Sequence, residues 1–455
     1  MQAELAVGLR RGADSSVENI FVNRFVTSKR MAVFGILASL AMPGHAQLVG
    51  DAHERPPRIE IDQVLPETLI RSGSHRVEDN LRLKATRFEF TIDSNHGRYD
   101  VLSVPMAIVR IHEIRTLAQA VDAYQRDNQK LAAELRGVMH VGGDSAVDIL
   151  TSPLDAAGSV ISQFVNNNVG QTIDELNNLS DPNVRRVRDP NSEPSIEQNM
   201  YESWLPEDPV LAAHKRAVAS HLDLDVYSSN SRVQAFLDTL ARERGGGNRN
   251  AGMVTVSLPN RPEIAVDRGR VEFAVRTSVA RKTVRELYIQ NESGLRVIGI
   301  SPDLYHAFLS HRAFSPRHKT EITAYLVYMQ GVANRGELLR AALRATDEVS
   351  ALGYVRMARM LAFYHESTER LTRLVSGGSV LMATTTGNNM VMVLPFDLLW
   401  WSADADRVFS SLVKFADQNN FELRELLLVG LASDTARVEL ERRKFLLREK
   451  YLLQR

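Results

Sequence analysis

The sequence predicts an α+β protein, mainly α with minor β: an N-terminal β-hairpin plus a long helix, a central helical bundle and a small C-terminal α/β unit. Three observations carry this. Hairpin signals occur at two places: alternating apolar residues flank Ser94-Asn95-His96-Gly97, and apolar runs flank Thr385-Thr386-Gly387-Asn388. Helix-opening signals recur between Ser301 and Asp347. The run Leu426-Leu427-Leu428-Val429-Gly430, set between helical stretches, reads as a buried strand.

Met31 to Ala46, MAVFGILASLAMPGHA, has a basic pair in front (Lys29-Arg30), a short apolar core and a small-residue site behind, the layout of a secretory signal peptide. The core is far shorter than the roughly 20 apolar residues of a spanning helix. Residues 1–46 are therefore expected to be a signal region cleaved near Ala46/Gln47, and the product to be secreted or periplasmic with no transmembrane helix in the mature chain. Glu4, Asp14 and Glu18 are foreign to such a leader, which points to translation starting near Val22 or Val26.

Residues 47–76 are polar and carry Pro56-Pro57 and Pro66, so an extended arm is expected. Over 77–178 the expectation is a hairpin and amphipathic helices. Phe88 to Ile92 and Tyr99 to Val104 form the hairpin, and a helix runs from Met106 to about Arg136, with Ile111, Ile114, Ala118 and Val121 on its apolar stripe and His112, Glu113, Arg115 and Asp122 off it. From Asp144 to Asn178 the apolar residues keep a helical period, while Asp155 is the only charged side chain between Ile149 and Ile173. Such a helix suits either a protein core or a membrane interface. Leu150, Leu154, Ile161, Phe164, Val165 and Val169 are its candidate membrane or partner contacts.

Residues 179–209 hold four prolines between Pro182 and Pro206 and read as a linker. A helical domain is expected over 210–376. It would hold helices from Val210 to His221 and Ser231 to Arg244, strands at Met253 to Leu258 and Val271 to Val279, the second of which also reads as a helix start, and helices opened by Ser301-Pro302-Asp303, Ser315-Pro316, Asn334 with Glu337, and Thr346-Asp347, the last reaching about Val375. Residues 377–455 complete the chain as a small α/β module: a hairpin (Val380 to Thr384, Met390 to Leu394), a helix from Ala405 to Phe415, the Leu426 strand, a helix capped by Ser433-Asp434, and a strand from Phe445 to Leu453.

Composition bounds the function. With no cysteine, the chain forms neither a disulfide nor a thiolate site, and no lipidated cysteine can anchor it. Lys+Arg and Asp+Glu number 55 each, and removing residues 1–46 takes away five basic and three acidic side chains, leaving a net charge near −2. That surface has no broad footprint for nucleic acid. Zincin, P-loop, GxSxG and CxxC patterns are absent. His306, His311 and His318 are spaced by five and seven, unlike paired ligands on one helical turn, so no metal or cofactor is expected. The candidates for acid–base chemistry are His365 with Glu366, on an apolar helix stripe, and Asp397, set between Phe396 and Leu398. The expected function is a non-catalytic interaction or scaffold role in the cell envelope, toward an envelope protein or a membrane surface. The rival is a secreted hydrolase acting on an extracellular polymer.

Overall fold

The computed structural model describes residues 53–141, 205–247, 268–377 and 380–451, and the structure is 55% helix and 17% strand. The fold is α+β and mainly α. The compact unit begins at Asp51.

The first correction concerns 47–76. Where described, this stretch is no extended arm: it forms α1 (Ile61–Val64) and α2 (Glu67–Ile70) and leads into β1 (His75–Val77). Ile61, Val64, Leu65 and Leu69 are buried against the following sheet, and removing these apolar surfaces from water outweighs the extending bias of the prolines. That sheet adds β2 (Arg82–Lys84), β3 (Arg87–Ser94) and β4 (Gly97–Leu102), all antiparallel. The hairpin is the expected one. Ser94 pairs with Gly97 across the turn, and Gly97 takes φ +119°, open to glycine at little cost.

The long helix is two. α3 (Val104–Asp127) starts at Ser103, whose hydroxyl accepts the Met106 amide, and stops at Asn128. Asn128 donates its amide to the Tyr124 carbonyl while its Oδ1 accepts the Leu131 amide at 3.1 Å, so one residue closes α3 and opens α4 (Gln129–Val141). α3 is buried almost all round. Its first half packs with the N-terminal sheet and its second half with α4, α5 (Pro209–His221), α6 (Ser231–Gly245) and α7 (Arg268–Arg281). His112 and Glu113, expected on a solvated face, are inside.

Val271 to Val279, readable as a strand or a helix start, belongs to helix α7, with Val275 and Val279 buried at i, i+4 spacing. The expected strand at Met253 to Leu258 and the segment from Asp144 to Asn178 lie outside the described residues. α8 (Val284–Val297) follows, opened by a Thr283–Glu286 capping box. Then come α9 (Pro302–Leu309), α10 (Pro316–Tyr328), α11 (Gly336–Ala342) and α12 (Glu348–Ser367), which enclose one core with α8. Asn334 stands just outside α11 with φ +57°, its carbonyl accepting the Glu337 amide, so it forms a turn rather than the expected cap.

The last helix of this group does not reach Val375. α12 stops at Ser367, and β5 (Leu371–Gly377) pairs antiparallel with β6 (Val380–Thr385). β7 (Met390–Leu394), β9 (Arg424–Leu428) and β11 (Phe445–Arg448) complete a five-stranded sheet in the order β11-β9-β7-β6-β5, the last three in chain order being parallel. β8 (Leu398–Leu399) and β10 (Leu431–Ala432) make a short parallel pair. Alternation assigns the faces: Leu381, Ala383, Val391, Val393 and Leu427 turn toward the core of α8 to α12, while Met382, Met392, Leu394, Leu426 and Leu428 meet α13 (Ala403–Gln418) and α14 (Asp434–Arg442). Both faces are covered, which is why these strands read as unbroken apolar runs.

Candidate functional site

Asp397 lies in the connection from β7 to β8, 1% exposed. Its backbone amide donates to the Thr86 carbonyl at 2.9 Å, and its Oδ2 accepts the amides of Phe88 at 2.9 Å and Val104 at 3.0 Å. Oδ1 has no hydrogen bond among the described residues. Burial pushes the carboxyl up to about 7, against the two amides and Arg87, which favour its charged form. The expected buried carboxylate is present. What it does locally is join the N-terminal sheet and the start of α3 to the C-terminal module.

His365 occupies the last turn of α12 and is 3% exposed. Its Nδ1 accepts the Leu371 amide at 3.0 Å, fixing the chain where the helix gives way to β5, and the Arg370 guanidinium lies 3.0 Å from Nε2. Burial, then the Arg370 charge, hold its pKa below the ordinary histidine value. Glu366 is exposed and faces Arg370 at 3.6 Å. The three candidates thus fall into two separate sets: His365 and Glu366 share Arg370, and Asp397 is bonded elsewhere. The candidate contacts Leu150, Leu154, Ile161, Phe164, Val165 and Val169 lie outside the described residues.

The histidines near Ser315 have separate partners. His306 Nδ1 meets the Tyr288 hydroxyl at 2.9 Å, and His311 Nε2 meets the Leu343 carbonyl at 3.2 Å. Among the described residues no three His, Asp or Glu side chains are placed to hold a metal ion.

Two features have no signature in the sequence. The first is a buried polar junction. Glu113 Oε2 accepts Arg110 Nη1 at 2.5 Å and Asn230 Nδ2 at 3.0 Å, while its Oε1 accepts the Ser228 hydroxyl. Arg110 Nη2 also donates to Ser229 Oγ at 3.2 Å. Beside them burial raises the pKa of Glu348, at the start of α12, with Arg110 and His318 opposing. The junction ties α3 to the α5–α6 connection and to α12.

The second is a small cavity of about 40 Å³, open on one side, between the first turns of α13 and the β6–β7 face. Met392 and Leu394 from the sheet, Val408 from α13, and Phe396 and Trp400 from the connecting segment form its walls. Polar groups are few: Thr86, Ser402 and Asp404 lie on the lining, with Asp404 paired to Arg407 at 3.3 Å.

No protein-family model matches this chain, and no curated protein or solved structure is similar to it. The sites themselves then carry the functional reading. The charged clusters are fasteners between elements, their groups largely engaged with one another, whereas the cavity offers apolar surface and little ionisable chemistry.

Proposed function

We propose that this is an exported cell-envelope protein that works by binding, as an interaction or scaffold protein, rather than by catalysis. The observation that carries the reading is the engagement of its two best acid–base candidates. Asp397 receives two backbone amides and His365 a third, and they stand in different hydrogen-bond sets. A polymer hydrolase acting through carboxylate and histidine would need such groups turned together toward one cleft.

Export is supported by the basic, apolar and small-residue tripartite pattern ending at Ala46 and by the start of the compact unit at Asp51: cleavage at Ala46/Gln47 would remove none of that unit. Among the described residues no helix is long and apolar enough to cross a membrane. The partner is an envelope protein or a membrane surface, with Leu150, Leu154, Ile161, Phe164, Val165 and Val169 as the contact set. No nucleic acid is expected at a net charge near −2 after removal of residues 1–46.

The test is expression of the full chain with a C-terminal tag, followed by fractionation and mass mapping of its N-terminus. A product starting at Gln47 outside the cytosol, and crosslinked to envelope material through photo-reactive groups at Phe164 or Val165, is expected. An intact chain in the cytosol overturns export, and hydrolysis of a cell-wall or matrix polymer that is lost in both His365→Gln and Asp397→Asn overturns the binding role.

A further inference from the structure

The turn from Ser72 to His75, between α2 and β1, sets an exposed hydroxyl against a buried imidazole, and neither group belongs to the sites above. We propose that Ser72 is a nucleophile activated by His75 that takes an acyl group from an activated ester. The site lies outside the binding role assigned above and uses none of its residues.

Hydrogen bonding fixes the tautomer. His75 Nε2 lies 3.0 Å from the Leu69 carbonyl, which can only accept, so this nitrogen carries the hydrogen. Nδ1 of the neutral ring is then an acceptor, and the Ser72 hydroxyl 2.8 Å away donates to it. Nucleophile, base and a group orienting the base thus stand in one line of bonds, with a backbone carbonyl in the orienting place. Burial, with the Arg115 charge from α3, holds His75 below the ordinary histidine value against the Leu69 bond, so the base is uncharged at pH 7.

The turn is also held in place. The Ser72 amide donates to the His75 carbonyl at 2.8 Å, and Asn95 donates its amide to the Ser74 carbonyl and its Nδ2 to the Gly73 carbonyl. The Ser74 amide donates to Ser72 Oγ at 3.2 Å, which favours the negative charge that develops there. Access is free: Ser72 and Gly73 are exposed, and a Cβ on Gly73 would meet no atom within 4 Å. An open turn encloses no substrate, so the assignment is one acyl transfer onto the protein and not turnover. In that step the hydroxyl proton passes to His75 Nδ1 as Oγ bonds to the ester carbonyl carbon. The bond from that carbon to the leaving oxygen then breaks, and the leaving group departs with its electron pair, giving an O-acyl serine.

The probe is p-nitrophenyl acetate, added to the full chain and followed by peptide mass mapping. Ser367 is the internal reference, an exposed serine whose hydroxyl donates to the Phe363 carbonyl and has no base. Acetylation of Ser72 is expected to be about 100-fold faster than that of Ser367, the contribution of a positioned general base. Its rate should rise with pH to about 7 and then level off, because the base is active once neutral. His75→Gln keeps a donor for the Leu69 carbonyl but has no basic nitrogen, and should bring Ser72 to the Ser367 rate. If that variant does not melt cooperatively, the pH profile of the parent decides alone. Equal rates at Ser72 and Ser367, a Ser72 rate that survives in folded His75→Gln, or one that keeps climbing above pH 7 shows a bond that merely closes the turn and overturns the proposal.

Discussion

Asp397 Oδ2 accepts the Val104 amide at 3.0 Å across 293 residues of sequence, at the point where α3 leaves the N-terminal sheet. The same oxygen holds the Phe88 amide. Asp397→Ala would strand two buried N–H groups and is expected to cost about 2–4 kcal/mol in urea unfolding. Asp397→Asn keeps an acceptor oxygen of the same shape without a buried charge, and at pH 8 it is expected to match or exceed the parent. A loss in Asn as large as in Ala would show that the charge itself holds the junction.

The pH profile separates two groups of opposite sign. The folded carboxyl of Asp397 keeps its proton up to about 7 against an ordinary 3.8, so the folded state binds more protons between those values. Its contribution is complete below about pH 4 and declines as pH rises through 7. His365, with its pKa held below 6.5, contributes fully above 6.5 and loses that contribution as pH falls through its depressed value. Urea midpoints measured from pH 4 to 8 should therefore lose their alkaline decline in Asp397→Asn and their acid decline in His365→Gln. Profiles parallel to the parent in both variants would contradict these assignments.

Gly430 ends the strand run beside the Asp397 backbone. A Cβ there would overlap the carbonyl oxygen and carbon of Asp397, with no flexible side chain to give way. Its amide already donates to the Phe396 carbonyl and its own carbonyl accepts the Lys450 amide, so the segment is held on both sides. Gly430→Ala is expected to destabilise by about 3 kcal/mol or more, or to prevent folding, as overpacking against backbone does. A cooperative thermal transition within a few degrees of the parent would show that β8 and β10 can separate.

The legible parts of this fold are those where local chemistry and tertiary structure agree. Gly97 marks the hairpin turn, Ser315-Pro316 and Asp347 cap helices, and Leu426 to Leu428 read as a buried strand because both sheet faces are covered. Thr283 and Glu286 carry an equally local signal for α8, the Thr-x-x-Glu spacing of a capping box. β5 is hidden for a different reason. Leu371 and Leu374 continue the spacing of α12, and only pairing with Thr385 and Ala383 turns them into a strand. Burial of Asp397 is readable from Phe396 and Leu398, but its partners are not, being set by tertiary contact. Glu113 stands among His112, Arg115 and Arg110 in a stretch that looks polar and solvated, since the Ser228 and Asn230 that enclose it lie more than a hundred residues away.

That junction supplies the last expectation. Glu113 and Arg110 are 2% and 4% exposed at the side chain, so neither charge has water to fall back on. Removing Arg110 leaves Glu113 and Glu348 without that cation, and removing Glu113 leaves Arg110 with Glu348 as its remaining carboxylate and Ser229 as its hydrogen-bond acceptor. Arg110→Met or Glu113→Leu alone is expected to cost about 3–5 kcal/mol. Arg110→Met combined with Glu113→Leu removes both charges and the desolvation they carry. The double variant should then be more stable than Arg110→Met alone, which leaves Glu113 and Glu348 together without their cation. Urea unfolding of the two single variants and the pair gives the coupling directly, and additive losses would mean that the two side chains act independently despite their 2.5 Å contact.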